Sequence, residues 1–369
     1  MRYPIDKIPL SSLFLPISAA GEALVRLDER LKHSGVGPGL IERMHYSDAV
    51  ASLWIDGELV HMEDLVFHDA RMDTRTPTHE LTIAHLVLRS RRDITQHPAA
   101  WALSDQGLSR LRGRALGGGI APVSHGLASM PDGEVGHASP DPDAAFLAEL
   151  DEFDAILKRS EAVMAQIAAE QKSVRERERA AIVYDADWNE PQRLQDWQEL
   201  LSEVEAFPPV LAAAILLDAW QSEEVSEHSP WLGRLLAAAY LRKAGTTIFH
   251  LAAISVGLRA VNREQRHSKS RTQRLLAILQ AFEQAAKQAM NEHDRLLLAR
   301  GALERRITGR RSSSKLPELI DLVLSRPLVS AGLVAKTLNT TPQGALKLIA
   351  ELPLRELTGR GRFRAWGIL

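Results

Sequence analysis

Residues 315–369 leave this chain the fewest options. They read KLPELIDLVLSRPLVSAGLVAKTLNTTPQGALKLIAELPLRELTGRGRFRAWGIL. Leu316, Leu319, Ile320 and Val323 recur at helical spacing and predict a first helix. Arg326-Pro327 ends it, because proline cannot continue the hydrogen-bond ladder. Ser330 is a good N-cap for a second helix over 331–338. Asn339 falls in the turn, where a residue tolerant of left-handed geometry is needed. Thr341 or Thr340 then caps a third helix with Pro342 in its first turn. Val334, Leu338, Ala345 and Leu348 supply apolar contacts between the helices, and Ala335 is small where they approach. After Pro353, residues 354–357 read as a short strand that 364–366 could pair with. The tip between them, residues 358–362, carries Arg360 and Arg362.

Three helices followed by a two-stranded hairpin resemble a winged helix-turn-helix. The charge agrees. From Arg305 to Leu369 there are twelve Lys or Arg and four Asp or Glu, a net of +8; the whole chain is −2, so the preceding residues carry −10. Basic charge gathered on such a motif is the footprint of phosphate binding. The third helix is then the one expected in the major groove of double-stranded DNA. Thr340, Thr341, Gln343 and Lys347 are the candidate groove-facing side chains, and Arg360, Arg362 and Arg364 the candidate wing contacts. A small helical subdomain that packs on its neighbour or binds protein is the other reading of the same pattern.

The remaining three hundred residues set the context. A chain of 369 residues suggests two or three domains, and 45% hydrophobic residues suffice for sizeable cores. There is no cysteine, which excludes disulfides and cysteine-based zinc sites. No apolar run reaches the roughly 18 to 20 residues of a membrane span. The N-terminal residues lack the apolar core and cleavage site of a secretory signal. No membrane association is expected, and a cytoplasmic location is the default.

Taken in order, residues 1–17 read as irregular because of Pro4, Pro9 and Pro16. A helix is predicted from Ser18 to Lys32 and another over 40–53. Residues 62–70 and 78–92 follow as helices, the last with a basic end (Arg89, Arg91, Arg92) that is a weaker candidate for DNA. His61, Asp64 and His68 share a face but read as surface, and no metal site is assigned. Residues 113–143 are rich in Gly and Pro and read as a flexible linker or loop. Its three consecutive glycines lack the Gly-Lys-Ser/Thr that holds a nucleotide. Helices are then predicted over 144–171, 194–206, 209–220, 231–243 and 246–261. The 209–220 segment is nearly all apolar, which marks a buried helix. A last long helix over 268–300 carries Leu275, Leu279, Phe282, Ala286, Ala289, His293 and Leu297 inward. It is either a seam to a second chain or packing on the bundle, and packing is preferred. Residues 308–314 read as a basic hinge.

Two stretches resemble the Fic family. ALVRLD at 23–28 and the later DAVASLWIDG are similar to that family's N-terminal region, and GRLL followed by AYLRKAG to the end of its catalytic stretch. In the family a Ser/Thr-x-x-x-Glu-Gly motif is inhibitory, its glutamate pairing with an active-site arginine. The matching residues are Ser52, Asp56 and Gly57, with aspartate one methylene shorter. The catalytic loop itself departs from the pattern. Ungapped, Glu223 stands where the histidine belongs and Glu227 at the acid position, while His228, Ser229, Pro230 and Trp231 replace Gly-Asn-Gly-Arg. A gapped match brings in His228 but not the glycines. A phosphate nest needs consecutive backbone N–H groups, and Pro230 removes one. The resemblance therefore implies lost adenylyl transfer, with no catalytic residue and no cofactor assigned. Together these features are similar to a Fic-related helix-turn-helix group of plant-associated rhizobia, often plasmid-borne.

The expectation is a mainly α protein: a Fic-like helical bundle with a C-terminal winged helix-turn-helix. The boundaries expected are an N-terminal Fic-like region over 1–112, the linker at 113–143, a degenerate Fic core over 144–307 and the DNA-binding domain over 308–369. The expected function is that of a DNA-binding transcriptional regulator whose catalytically dead body serves dimerisation or sensing. An adenylyl transferase with an altered site and an antitoxin-like interaction partner remain the alternatives. A homodimer stays open, since helix-turn-helix proteins often read two half-sites.

Overall fold

Helices that are apolar on every side need a core large enough to surround them. The segment 209–220 is one, and its neighbour 231–241 is another; the first is buried from Val210 to Trp220 and the second throughout. The computed structural model describes residues 3–5, 8–72, 76–116, 189–226, 229–307, 315–357 and 364–368. The helix expected over 144–171, most of the 113–143 linker, Glu227, His228 and the 308–314 hinge lie outside the described residues.

In the body, eleven helices are described. They are α1 (Leu10–Lys32), α2 (Gly37–Ile55), α3 (Met62–Asp69), α4 (His79–Gln96), α5 (Asp105–Leu116), α6 (Glu190–Glu203), α7 (Pro209–Ser222), α8 (Pro230–Lys243), α9 (Ile254–Arg259), α10 (Arg263–Arg266) and α11 (Arg271–Ile307). At 37 residues, α11 is about 55 Å long and is the spine: α1, α9 and α7 all pack on it. The helices before residue 116 and those after residue 190 thus share one core, and both fall in the same compact unit as the C-terminal elements. At the α9–α11 crossing the backbones nearly touch: a Cβ on Gly257 would fall 1.9 Å from the carbonyl oxygen of Ala281.

The first helix begins earlier than its prolines suggest. α1 starts at Leu10, directly after Pro9, and carries Pro16 inside it. One lost N–H bond is tolerated because Leu13 and Ala20, on either side of Pro16, are fully buried. By length and hydropathy α1 could cross a membrane, but Leu24, Leu27 and Leu31 face the core.

The helix expected over 246–261 is largely replaced by irregular chain, and only 254–259 is helical. Buried side chains from elsewhere take its backbone hydrogen bonds. Asp28 accepts from the amides of Ile248 and Phe249 (both 2.9 Å) and from His250 Nδ1 (2.7 Å). Arg91 donates to the carbonyls of Leu251 (2.8 Å) and Ala252 (3.3 Å). Asp48 accepts from the Ser255 amide (2.7 Å) at the start of α9 and pairs with Arg91, neither side chain more than 1% exposed. Arg91 is therefore part of the core and not a DNA contact. Arg92, beside it, is held by Glu42 and Asp69.

The C-terminal elements are α12 (Leu316–Ser325), β1 (Val329–Ser330), α13 (Ala331–Thr337), α14 (Pro342–Glu351), β2 (Arg355–Glu356) and β3 (Ala365–Gly367). The sheet runs β1-β3-β2, antiparallel throughout, with Val329 opposite Trp366 and Arg355 opposite Gly367. The sequence reading lacks β1. Ser330 does two jobs, pairing with Ala365 and capping α13 through the Leu333 amide (3.1 Å). Leu297, expected to face inward on α11, is 51% exposed, and Leu296 beside it is fully buried instead.

Candidate nucleic-acid interface

The turn between α13 and α14 fixes the direction of the third helix. Asn339 takes φ 51°, the left-handed conformation the turn requires. The Lys315 ammonium donates to the carbonyls of Leu338 and Asn339 (2.9 Å for the second) and neutralises the C-terminal end of α13. Thr341 is the cap of α14, its hydroxyl accepting from the Gly344 amide (3.1 Å). Thr340 lies over the same first turn, since a Cβ on Gly344 would meet its Oγ1 at 2.7 Å. Thr341 Oγ1 thus has one lone pair committed to the cap, and its proton and second lone pair are left for bonds outward.

α14 buries Ala345 and Ile349 against α12 and α13. The opposite side exposes Gln343, Leu346, Lys347 and Ala350; Thr341 is exposed at the N-terminal end, and Thr340 is half-buried at the turn. Four sequence-expected residues are therefore gathered at one end and one face of α14. Arg360 and Arg362 lie outside the described residues. Arg364 is at the base of the wing, where it pairs with Glu356 across the strands (2.6 and 3.0 Å) and lies over the Trp366 ring. That pairing raises the Arg364 guanidinium and lowers the Glu356 carboxyl from their ordinary values. Three of the twelve cations are thus already engaged. Arg326, Lys315 and Arg364 have partners, whereas Lys336, Lys347 and Arg355 form no ion pair among the described residues.

Arg326, at the end of α12, seats this domain on the body. Its guanidinium reaches Glu42 (3.0 Å), Asp69 (3.2 Å) and the Tyr46 hydroxyl. Arg92 bridges the same carboxylates, and His85 Nε2 is 3.3 Å from Asp69. Arg43 donates to the Arg326 carbonyl and pairs with Glu292 of α11 (3.0 Å). Burial works to raise Asp69, but hydrogen bonds from His85, Arg92 and Tyr46 prevail and hold its carboxyl far below the usual range. Burial pushes the Tyr46 hydroxyl up.

At the other end of α2, Ser52 and Asp56 meet Arg234, the fifth residue of α8. Both nitrogens of its fork bind Asp56 (3.0 and 2.6 Å), and one also donates to Ser52 Oγ (2.8 Å) and Ser52 O (3.2 Å). Arg234 is 2% exposed, and its Nε has no hydrogen-bond partner among the described residues. Aspartate reaches because Asp56 caps the helix directly before Gly57, which turns the chain at φ 91°. Pro230 occupies the first position of α8, and Glu223, at the ungapped histidine position, caps the end of α7.

Sequence reasoning missed the seat on the body and the exposure of Leu346. Nothing in the local pattern marks the pairing of Arg326 with Asp69, because the two lie 257 residues apart. Leu346 is assigned no role by the sequence, which names Ala345 and Leu348 as the apolar contacts of this helix.

The family described as "Protein of unknown function (DUF1612)" matches residues 182–308, and "HTH DNA binding domain" matches residues 316–369. "Uncharacterized protein y4cF" of Sinorhizobium fredii (strain NBRC 101917 / NGR234) is 48% identical over 386 residues, with 100% of both chains covered. Among solved structures, that of a Fic family protein from Desulfovibrio desulfuricans G20 matches at a TM-score of 0.48 and 12% identity, covering 100% of this chain and 98% of the other. A DUF1612 body that ends in an HTH DNA binding domain, shared along its full length with a rhizobial relative, makes this chain a member of the family to which Sinorhizobium fredii y4cF belongs.

Proposed function

We propose that this protein is a transcriptional regulator that works in the cytoplasm, reading double-stranded DNA with α14 and carrying a non-catalytic helical body. The observation that carries the reading is the face of α14. It presents Thr341, Gln343 and Lys347 outward from a capped helix in a domain of the HTH DNA binding type. Hydroxyls and a helix N-terminus suit phosphate, an amide suits a base edge, and a lysine suits either. The loss of catalysis is supported by Pro230, which supplies no N–H to an anion nest, and by Arg234, whose fork is filled by Asp56 and Ser52.

Fluorescence anisotropy with duplexes selected from a random pool tests the reading. The full chain should bind them with an affinity that falls steeply with salt. Lys347→Ala should weaken all duplexes alike and reduce the slope of log affinity against log salt by about 1. Binding that ignores salt, or the same slope in the variant, overturns the assignment of this face to DNA.

A further inference from the structure

Leu346 is the feature of α14 that a charge-based account of DNA binding leaves unused. It is 43% exposed, and an isolated exposed leucine is ordinary on a protein surface. Its position is what matters. Ala345 and Ile349 are buried, so the helix cannot roll to hide it. Gln343 lies one turn before it, Lys347 beside it and Ala350 one turn beyond, all exposed. From Gln343 to Ala350 is about 10 Å along the helix, about three base steps of duplex. The strip therefore presents an amide, an apolar side chain, a cation and a methyl in order. The cation and the capped N-terminus suit phosphate, but neither distinguishes one base from another.

In the major groove one base carries an apolar group at its edge, the C5-methyl of thymine, and adenine offers an acceptor and donor that an amide binds with two hydrogen bonds. We infer that Leu346 determines sequence preference by covering a thymine methyl, with Gln343 on an adenine one or two base pairs away, so that the preferred site holds an A·T segment under α14. This rests on the reading of the domain as a duplex-DNA binder. Leu346 adds no general affinity for phosphate; it discriminates among duplexes that Lys347 and the helix N-terminus would bind equally. It is a specificity residue whose side chain is 43% exposed and free to meet a base edge on that side.

The test uses the full chain and a duplex selected from a random pool. Each thymine is replaced in turn by deoxyuridine, which removes only the methyl. At one or two positions the replacement should weaken binding by roughly four-fold, the loss expected for one buried methyl. Leu346→Ala should abolish that penalty while keeping the salt dependence, and Leu346→Met should retain it. If no position is sensitive, or if the penalty survives in Leu346→Ala, the inference fails although DNA binding stands. If no duplex is bound, the DNA reading falls and this inference with it. If Leu346→Ala instead abolishes self-association, the face belongs to a second copy of the chain and the inference is overturned.

Discussion

Arg91 and Arg234 sit in sequence contexts that look alike, on helices with other basic residues nearby, yet each is a buried partner of one carboxylate. The Arg91–Asp48 pair is out of solvent and ties α2, α4 and the 251–256 chain together. Burial lowers the Arg91 guanidinium and Asp48 raises it. His45, whose Nδ1 lies 3.3 Å from Arg91, is held well below its ordinary value by burial and by the charges of Arg91 and Arg92. Removing one member of such a pair strands the other charge. Arg91→Ala is therefore expected to cost about 3–5 kcal/mol, measured by urea unfolding. A loss under 1 kcal/mol would mean that Asp48 is adequately served by the Ser255 and Val256 amides alone. Neither arginine's role is legible locally, because the partners come from other helices. The Ser52-Asp56-Gly57 spacing was legible, but its meeting with Arg234 needed the fold.

At the scale of elements, helices with strong apolar periodicity stand close to where the sequence places them: α7, α8 and α12 each start and end within two residues of expectation. The misses have one physical cause, tertiary contact overriding local preference. The 246–253 chain is apolar enough for a helix, but Asp28 and Arg91 bind its backbone in another conformation. β1 is two residues long and exists only because β3 returns beside it. Gly257 also has a purpose the sequence hides, which is to let α9 lie against α11. With a Cβ there, the clash is with the backbone at Ala281 and not with a side chain that can swing away. Gly257→Ala should therefore destabilise the protein by about 1–3 kcal/mol or more despite its better helix propensity, as thermal melts would show. An unchanged or raised Tm would show that the two helices can part without loss.

For the whole molecule, the cluster of Glu42, Asp69, Arg92, Arg326 and Tyr46 joins the DNA-binding domain to the body. Asp69 has its folded-state value depressed, so the unfolded chain takes up its proton first. The stabilisation is complete above the unfolded aspartate value of about 3.9 and is lost as pH falls below it. Thermal melts from pH 7 to pH 3 should show a fall in Tm over the acid end that is shallower in Asp69→Asn. Equal slopes would place the acid sensitivity elsewhere. The charge imbalance between body and C-terminal domain was readable from the sequence. That one of the basic residues would be spent on joining them was not, because Arg326 looks like any other cation of the +8.

One helix does more than its length suggests. α2 touches Arg326 through Glu42 and Tyr46 near its start and grips Arg234 through Ser52 and Asp56 at its end. From Arg43 to Asp56 is about 20 Å of continuous helix, too stiff to absorb a roll at one end only. It is a lever with the DNA-reading domain on one arm and a locked arginine on the other. The seat of α12 and the lock on Arg234 are thus held by the two ends of one rigid element.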